Sequence, residues 1–143
     1  MAYPVKRVHL TAGRALFTID NGRGEHFTYS VTRKDARQGG DIYFVSLRRN
    51  GESRPFQYVG VLELTEPYTL RLTSRSVFAK DSVEVRAFRF ALRVIQDIQP
   101  LPSGYAIMGS DTCAACGRTI TVRESIETGF GPECGSRLNR RAA

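Results

Sequence analysis

Three cysteines, Cys113, Cys116 and Cys134, carry the clearest chemical signal in the chain. In Cys113-Ala114-Ala115-Cys116-Gly117-Arg118 two thiolates flank a turn that can grip one metal ion. The alanines are small enough for it, and the glycine tolerates a positive φ. Arg118 to Val122 reads as the short strand that follows such a knuckle. Seventeen residues separate Cys116 from Cys134, a zinc-module spacing, and Gly131-Pro132 would feed a short helix with Cys134 in its first turn. The positive end of that helix favours the ionised thiol. The expected cofactor is therefore Zn2+. Structural zinc takes four ligands, yet Arg137 stands three residues after Cys134, where a second helix ligand would be. Asp111 nearby, His9 or His26 from the N-terminal part, or a water are the candidates for the fourth position. Two other readings of the thiols stand beside this one. They could have no ligand role, or form a redox pair, which would sit at a helix start after a βαβ unit and is opposed by β-branched Ile120 and Val122.

The elements that must position these residues follow from periodicity. Ala15 to Asp20, the turn Asn21-Gly22-Arg23-Gly24 and Glu25 to Arg33 read as a hairpin, with Phe27, Tyr29 and Val31 on one face. Ile42 to Arg49 and Arg54 to Leu64 make a second hairpin around Asn50-Gly51. Tyr68 to Thr73 is a fifth strand, with Tyr68, Leu70 and Leu72 inward. From Asp81 the period becomes helical, and Val85, Phe88, Leu92, Ile95 and Ile98 fall on one stripe. Asp81 and Glu84 resemble a capping box, and Pro100 should stop the helix. The expected fold is thus α+β: an antiparallel sheet of about five strands with one amphipathic helix, plus a small C-terminal treble-clef-like zinc module. The expected division is a sheet-and-helix domain at 1–99, a linker at 100–104 and the zinc module at 105–143. A tail that small has little apolar material, so metal would help fold it.

Composition narrows the function. The chain of 143 residues is 41% hydrophobic, enough for a core. It has no N-terminal apolar region and no run of eighteen apolar residues, which predicts a cytoplasmic protein without a membrane partner. Twenty-one basic against fourteen acidic groups give +7, and residues 1–100 hold 16 and 10 of them. Anionic partners follow, nucleic acid (DNA or RNA) first. Arg86, Arg89 and Arg93 recur along the polar helix face and could match phosphates, with Arg118 beside the knuckle. Tyr29, Tyr43, Tyr58 and Phe27 could stack bases wherever they face solvent. The plain alternative is a solvated arginine face and a core of aromatics. Phosphate-binding loops, metalloprotease and hydrolase signatures and the zinc deaminase His-x-Glu are missing, so a non-enzyme is expected. An open zinc position that activates water is the exception to keep in view. The second functional reading is a protein-binding module that engages a host enzyme or defence complex. No oligomeric state is implied.

The run Cys113 to Ser125, continuing to Gly129-Phe130-Gly131-Pro132-Glu133-Cys134, resembles a family of zinc-binding domains at the ends of bacteriophage and prophage proteins of unknown function. Its pattern is Cys-x-x-Cys-Gly-Arg, a Leu-centred strand, a Glu-Ser pair and Gly-x-Gly-Pro-x-Cys. Cys113, Cys116, Gly117, Arg118, Ser125, Gly129, Gly131, Pro132 and Cys134 match it, with Ile120 in place of Leu. Some relatives carry a His before the first Cys, where this chain has Met108-Gly109-Ser110. Tyr43 to Leu47, Phe56 to Gly60 and Ala87-Phe88 are similar to the N-terminal portion of such phage proteins. The resemblance implies bound zinc and a viral origin, hence the host cytoplasm, and no particular activity.

Overall fold

A computed structural model of the chain describes residues 3–36, 40–48, 56–109 and 114–115. In order, its elements are β1 (Tyr3–Pro4), α1 (Arg7–Leu10), β2 (Arg14–Asp20), β3 (His26–Ala36), β4 (Gly40–Arg48), β5 (Phe56–Glu63), β6 (Thr69–Arg71), α2 (Val83–Ile95) and β7 (Ala106–Gly109). The strands form one antiparallel sheet in the order β1-β7-β2-β3-β4-β5-β6. Strands β2 to β6 are a meander. Its first turn is set by Asn21, whose Oδ1 accepts from the amides of Arg23 (2.8 Å) and Glu25 (3.2 Å). The β4–β5 register shifts between Val45 and Ser46, so that Val45 faces Gly60, Ser46 faces Tyr58 and Val59 is skipped.

One face of the sheet is closed by α2. Its stripe of Val85, Phe88, Ala91, Leu92 and Ile95 is buried against Phe17, Tyr29, Val31, Val45 and Leu47. Phe88 meets Tyr29 edge-on at 5.1 Å and Phe17 at 6.1 Å between ring centroids. Apolar burial drives this contact and the ring geometry orients it. Tyr29 is fully buried, and its hydroxyl donates to the Glu84 carbonyl at 2.6 Å. That burial, helped by the Glu84 charge, pushes the phenol pKa above its ordinary value. At the other end of α2, the Gln96 side chain accepts from the Tyr68 amide (2.7 Å) and donates to its carbonyl (3.0 Å), fixing the helix to the start of β6.

The expected fold needs correction. Among the described residues the sheet has seven strands rather than about five, because β1 and β7 join it. Ala106–Gly109 fall in the segment assigned to a treble-clef-like module, yet they form a strand between β1 and β2. Apart from Ala114 and Ala115, residues 110–143 lie outside the described residues. The reason for the miss is length: strands of two and four residues leave no alternation to read, and Pro4 fits where β1 is the edge of the described strands. Gly109 makes the close packing there possible, since a Cβ on it would stand 2.1 Å from the Tyr3 ring. The helix differs in detail too. Its N-cap is Ser82, whose hydroxyl accepts from the Val85 amide at 3.3 Å. It ends at Ile95, because Asp97 turns to φ 59° and leaves Ile98 51% exposed.

Candidate nucleic-acid interface

Alternation along the strands dictates what the second face carries. Where Phe17, Tyr29 and Val45 turn toward α2, their neighbours Leu16, Ser30, Phe44 and Ser46 turn the other way. Across that second face runs a groove of about 830 Å3. Its floor is hydroxyl and aromatic: Ser30 and Thr32 from β3, Phe44 and Ser46 from β4, and Phe56 and Tyr58 from β5. Arg14 from β2, Lys34 from β3 and Arg75 from the loop before α2 supply three cations, and no carboxylate is among the lining residues described.

The aromatic groups are held in place. Phe44 and Tyr58 lie on paired strands with ring centroids 6.0 Å apart, tilted by 56°. The Lys34 ammonium stands 5.8 Å from the Phe44 ring centroid, at the outer limit of a cation–π contact. Arg75 is positioned by a small turn. The Thr73 amide donates to Ser76 Oγ (2.9 Å), the Ser76 amide to the Thr73 carbonyl (3.0 Å) and the Arg75 amide to Thr73 Oγ1 (3.3 Å). The same turn is fixed to Tyr58 at two points. The Thr73 hydroxyl donates to Tyr58 Oη at 3.1 Å, and the Val77 amide to the Tyr58 carbonyl at 3.1 Å.

A second groove, about 410 Å3, runs beside α2 and includes Arg86, Arg89 and Arg93 together with Phe27, Phe90 and Tyr105. The helix thus brings together the three arginines expected to meet phosphates. Two of them have partners in the chain: Arg89 donates to the Leu70 carbonyl (3.1 Å) and Arg93 to Gln99 Oε1 (2.6 Å). Of the four aromatics expected to be available, Tyr29 and Tyr43 are core, Phe27 is half-buried in the second groove, and Tyr58 is half-buried in the first. Arg14, Lys34, Arg75, Phe44 and Phe56 were not anticipated. Alternation through Tyr43-Phe44-Val45-Ser46-Leu47 could have assigned Phe44 to the face away from the core.

Cys113, Cys116, Cys134, Asp111 and Arg118 lie outside the described residues, and no group of three or more metal-ligand side chains occurs among those described. Ala114 and Ala115, between the first two cysteines, are described. Ala114 is fully buried and its carbonyl accepts from the Arg14 amide at 2.7 Å. Gly13, at φ 135°, lets the backbone of Ala115 approach so closely that a Cβ would stand 2.6 Å from its oxygen. His9 is buried, with Nδ1 accepting from the Lys6 amide at 2.9 Å and its ring 4.8 Å from that of Tyr3. His26 is exposed and pairs with Asp20, at the opposite end of β2 from Arg14.

Among the described residues no helix is long and apolar enough to cross a membrane. No curated protein and no solved structure matches the chain. Residues 108–139, a segment that contains all three cysteines, are similar to DUF6011, a family of unknown function.

Proposed function

We propose that this is a small zinc-holding accessory protein, of phage type, that binds nucleic acid without catalysing a reaction on it. The observation that carries the reading is the groove on the open sheet face, where three cations surround hydroxyls and aromatic rings without a carboxylate in the lining described. Phosphates supply the complementary charge, and sugars and bases supply partners for the hydroxyls and rings. The arginine band on α2 would add a second, weaker contact, since Arg89 and Arg93 already donate within the chain.

The zinc would sit on Cys113, Cys116 and Cys134. The family similarity over 108–139 spans all three, and Ala114 is seated at the start of β2. His26 stands on β3 opposite Asp20, six residues along β2 from Arg14 and so roughly 20 Å away, which makes it the poorest candidate for the fourth ligand. His9 would have to release the Lys6 amide, because a metal on Nδ1 displaces that donor and a metal on Nε2 moves the ring hydrogen to Nδ1. Asp111 and a water are the local choices.

Two measurements test the reading. Freshly purified, chelator-free protein should contain about one zinc per chain, reduced by Cys116→Ser, and zinc-free protein would sink that half. Labelled DNA and RNA should bind with an affinity that falls as salt rises, with a log–log slope of roughly two for three phosphate contacts on a single strand. The triple change Arg14→Gln, Lys34→Gln and Arg75→Gln should flatten the slope more than Arg86→Gln, Arg89→Gln and Arg93→Gln. No binding at low salt would leave the host-protein reading in its place.

A further inference from the structure

We infer that the open sheet face is a stacking platform for single-stranded nucleic acid, with one base on Phe44 and a neighbouring base on Tyr58. This rests on the nucleic-acid reading and narrows it to one class of ligand.

Each ring has a cation in the same groove, beside the ring at Phe44 and on the adjoining turn at Tyr58. Lys34 stands beside Phe44. Arg75 belongs to the turn that is hydrogen-bonded to both ends of Tyr58, its hydroxyl and its carbonyl. A ring with an adjacent cation is complementary to one nucleotide, the ring to the base and the cation to the phosphate. Two such units stand side by side because Phe44 and Tyr58 belong to paired strands, and their centroids are 6.0 Å apart. Phe56, 50% exposed on the same face, extends the platform beyond Tyr58. A large exposed ring at that position has no structural partner to explain it among the described ring contacts.

A duplex cannot use this surface in the same way. Its bases present edges rather than faces, and the major groove admits a helix or a two-stranded ribbon, whereas these rings lie in the floor of a groove that spans β2 to β5. Only phosphates of a duplex could reach Arg14, Lys34 and Arg75. A single strand can splay its bases onto the rings and still offer those phosphates. Preference for single strands should therefore come from the rings, and salt dependence from the cations.

The test measures binding of labelled oligo-dT, oligo-rU and a duplex of equal length to the full chain at two salt concentrations. The native protein should favour the single strands. Phe44→Ala and Tyr58→Ala should each weaken single-strand binding by roughly five- to a hundredfold, with the salt slope unchanged and duplex binding little affected. Both residues are half-buried, so Phe56→Ala, which removes an exposed ring, and Tyr58→Phe, which keeps the ring, serve as folding-safe companions. The first should weaken single-strand binding and the second should retain it. Single-strand binding indifferent to Phe44, Phe56 and Tyr58 would overturn the platform while leaving a nucleic-acid binder. A failure to bind any of the three probes would overturn both, as would burial of this face by self-association in sedimentation without nucleic-acid binding.

Discussion

The two faces of one sheet are built from the same strands and serve opposite ends. On the face under α2, Phe17, Tyr29, Val31, Val45 and Leu47 are buried to 2% exposure or less, and the Tyr29 hydroxyl there is satisfied by the Glu84 carbonyl. On the other face the successive positions are Leu16, Ser30, Thr32, Phe44, Ser46 and Tyr58, half-buried, with cations at the margin. Every second residue of β2 and β4 therefore contributes to stability and the residues between them remain available for contact. Substitutions on the two faces should be nearly independent, because they share the backbone but few side-chain neighbours.

The most severe way to test that division is to remove what both faces depend on. A chain ending at Gln99 lacks β7, which is the partner of β1 and one of the two partners of β2. It should lose cooperative thermal unfolding followed by circular dichroism, and a native-like melt would mean that β7 is dispensable. Next comes Phe88→Ala, which empties the centre of the helix-facing core. It should cost about 3–5 kcal/mol in urea titration, and a cost below about 1 kcal/mol would place the core elsewhere.

Tyr29→Phe is milder, about 1 kcal/mol for the lost hydrogen bond to Glu84, and it has a pH signature. Burial raises the folded pKa of this phenol above the unfolded one. The contribution is therefore complete below the unfolded value, near pH 10, and declines as pH rises from there toward the folded value. Native protein should lose stability on the alkaline side more steeply than Tyr29→Phe, and identical alkaline limbs would contradict the assignment. The smallest stability effects belong to the open face. Phe56→Ala and Ser46→Ala should each fall within about 0.5 kcal/mol, and a larger loss from either would show that the face is part of the core.

Much of this fold can be read from the chain and the remainder shows what defeats such reading. Strands β2 and β4 alternate clearly, and α2 repeats its stripe for three turns, so the apolar period stands out. The period itself runs on to Ile98, but the reversal at Asp97 depends on a single backbone angle that periodicity does not register. Asp81 and Ser82 are both competent caps, and the choice between them is made by which oxygen meets the Val85 amide. The cysteines of the candidate metal site are legible because they are close in sequence. The groove was not, because Arg14, Lys34 and Arg75 are far apart along the chain and are gathered only when the strands pair. Tyr29 and Tyr58 look alike in composition, and only the register separates a core ring from one in the groove.

The insertion of β7 between β1 and β2 also sets an order of assembly. During synthesis from the N-terminus, the meander from β2 to β6 can close through neighbouring turns as each strand emerges. Phe17 must wait for Gly109, and Tyr3 for the same residue. Until then β1 lacks its one partner among the described strands, and β2 presents an open edge along Phe17 to Asp20, the kind of edge that recruits other chains. The pairings that complete the sheet are also the most distant in sequence and so carry the largest closure cost. A nascent chain should therefore carry that open edge until Ala106–Gly109 have been made and paired, an interval in which a chaperone would protect it.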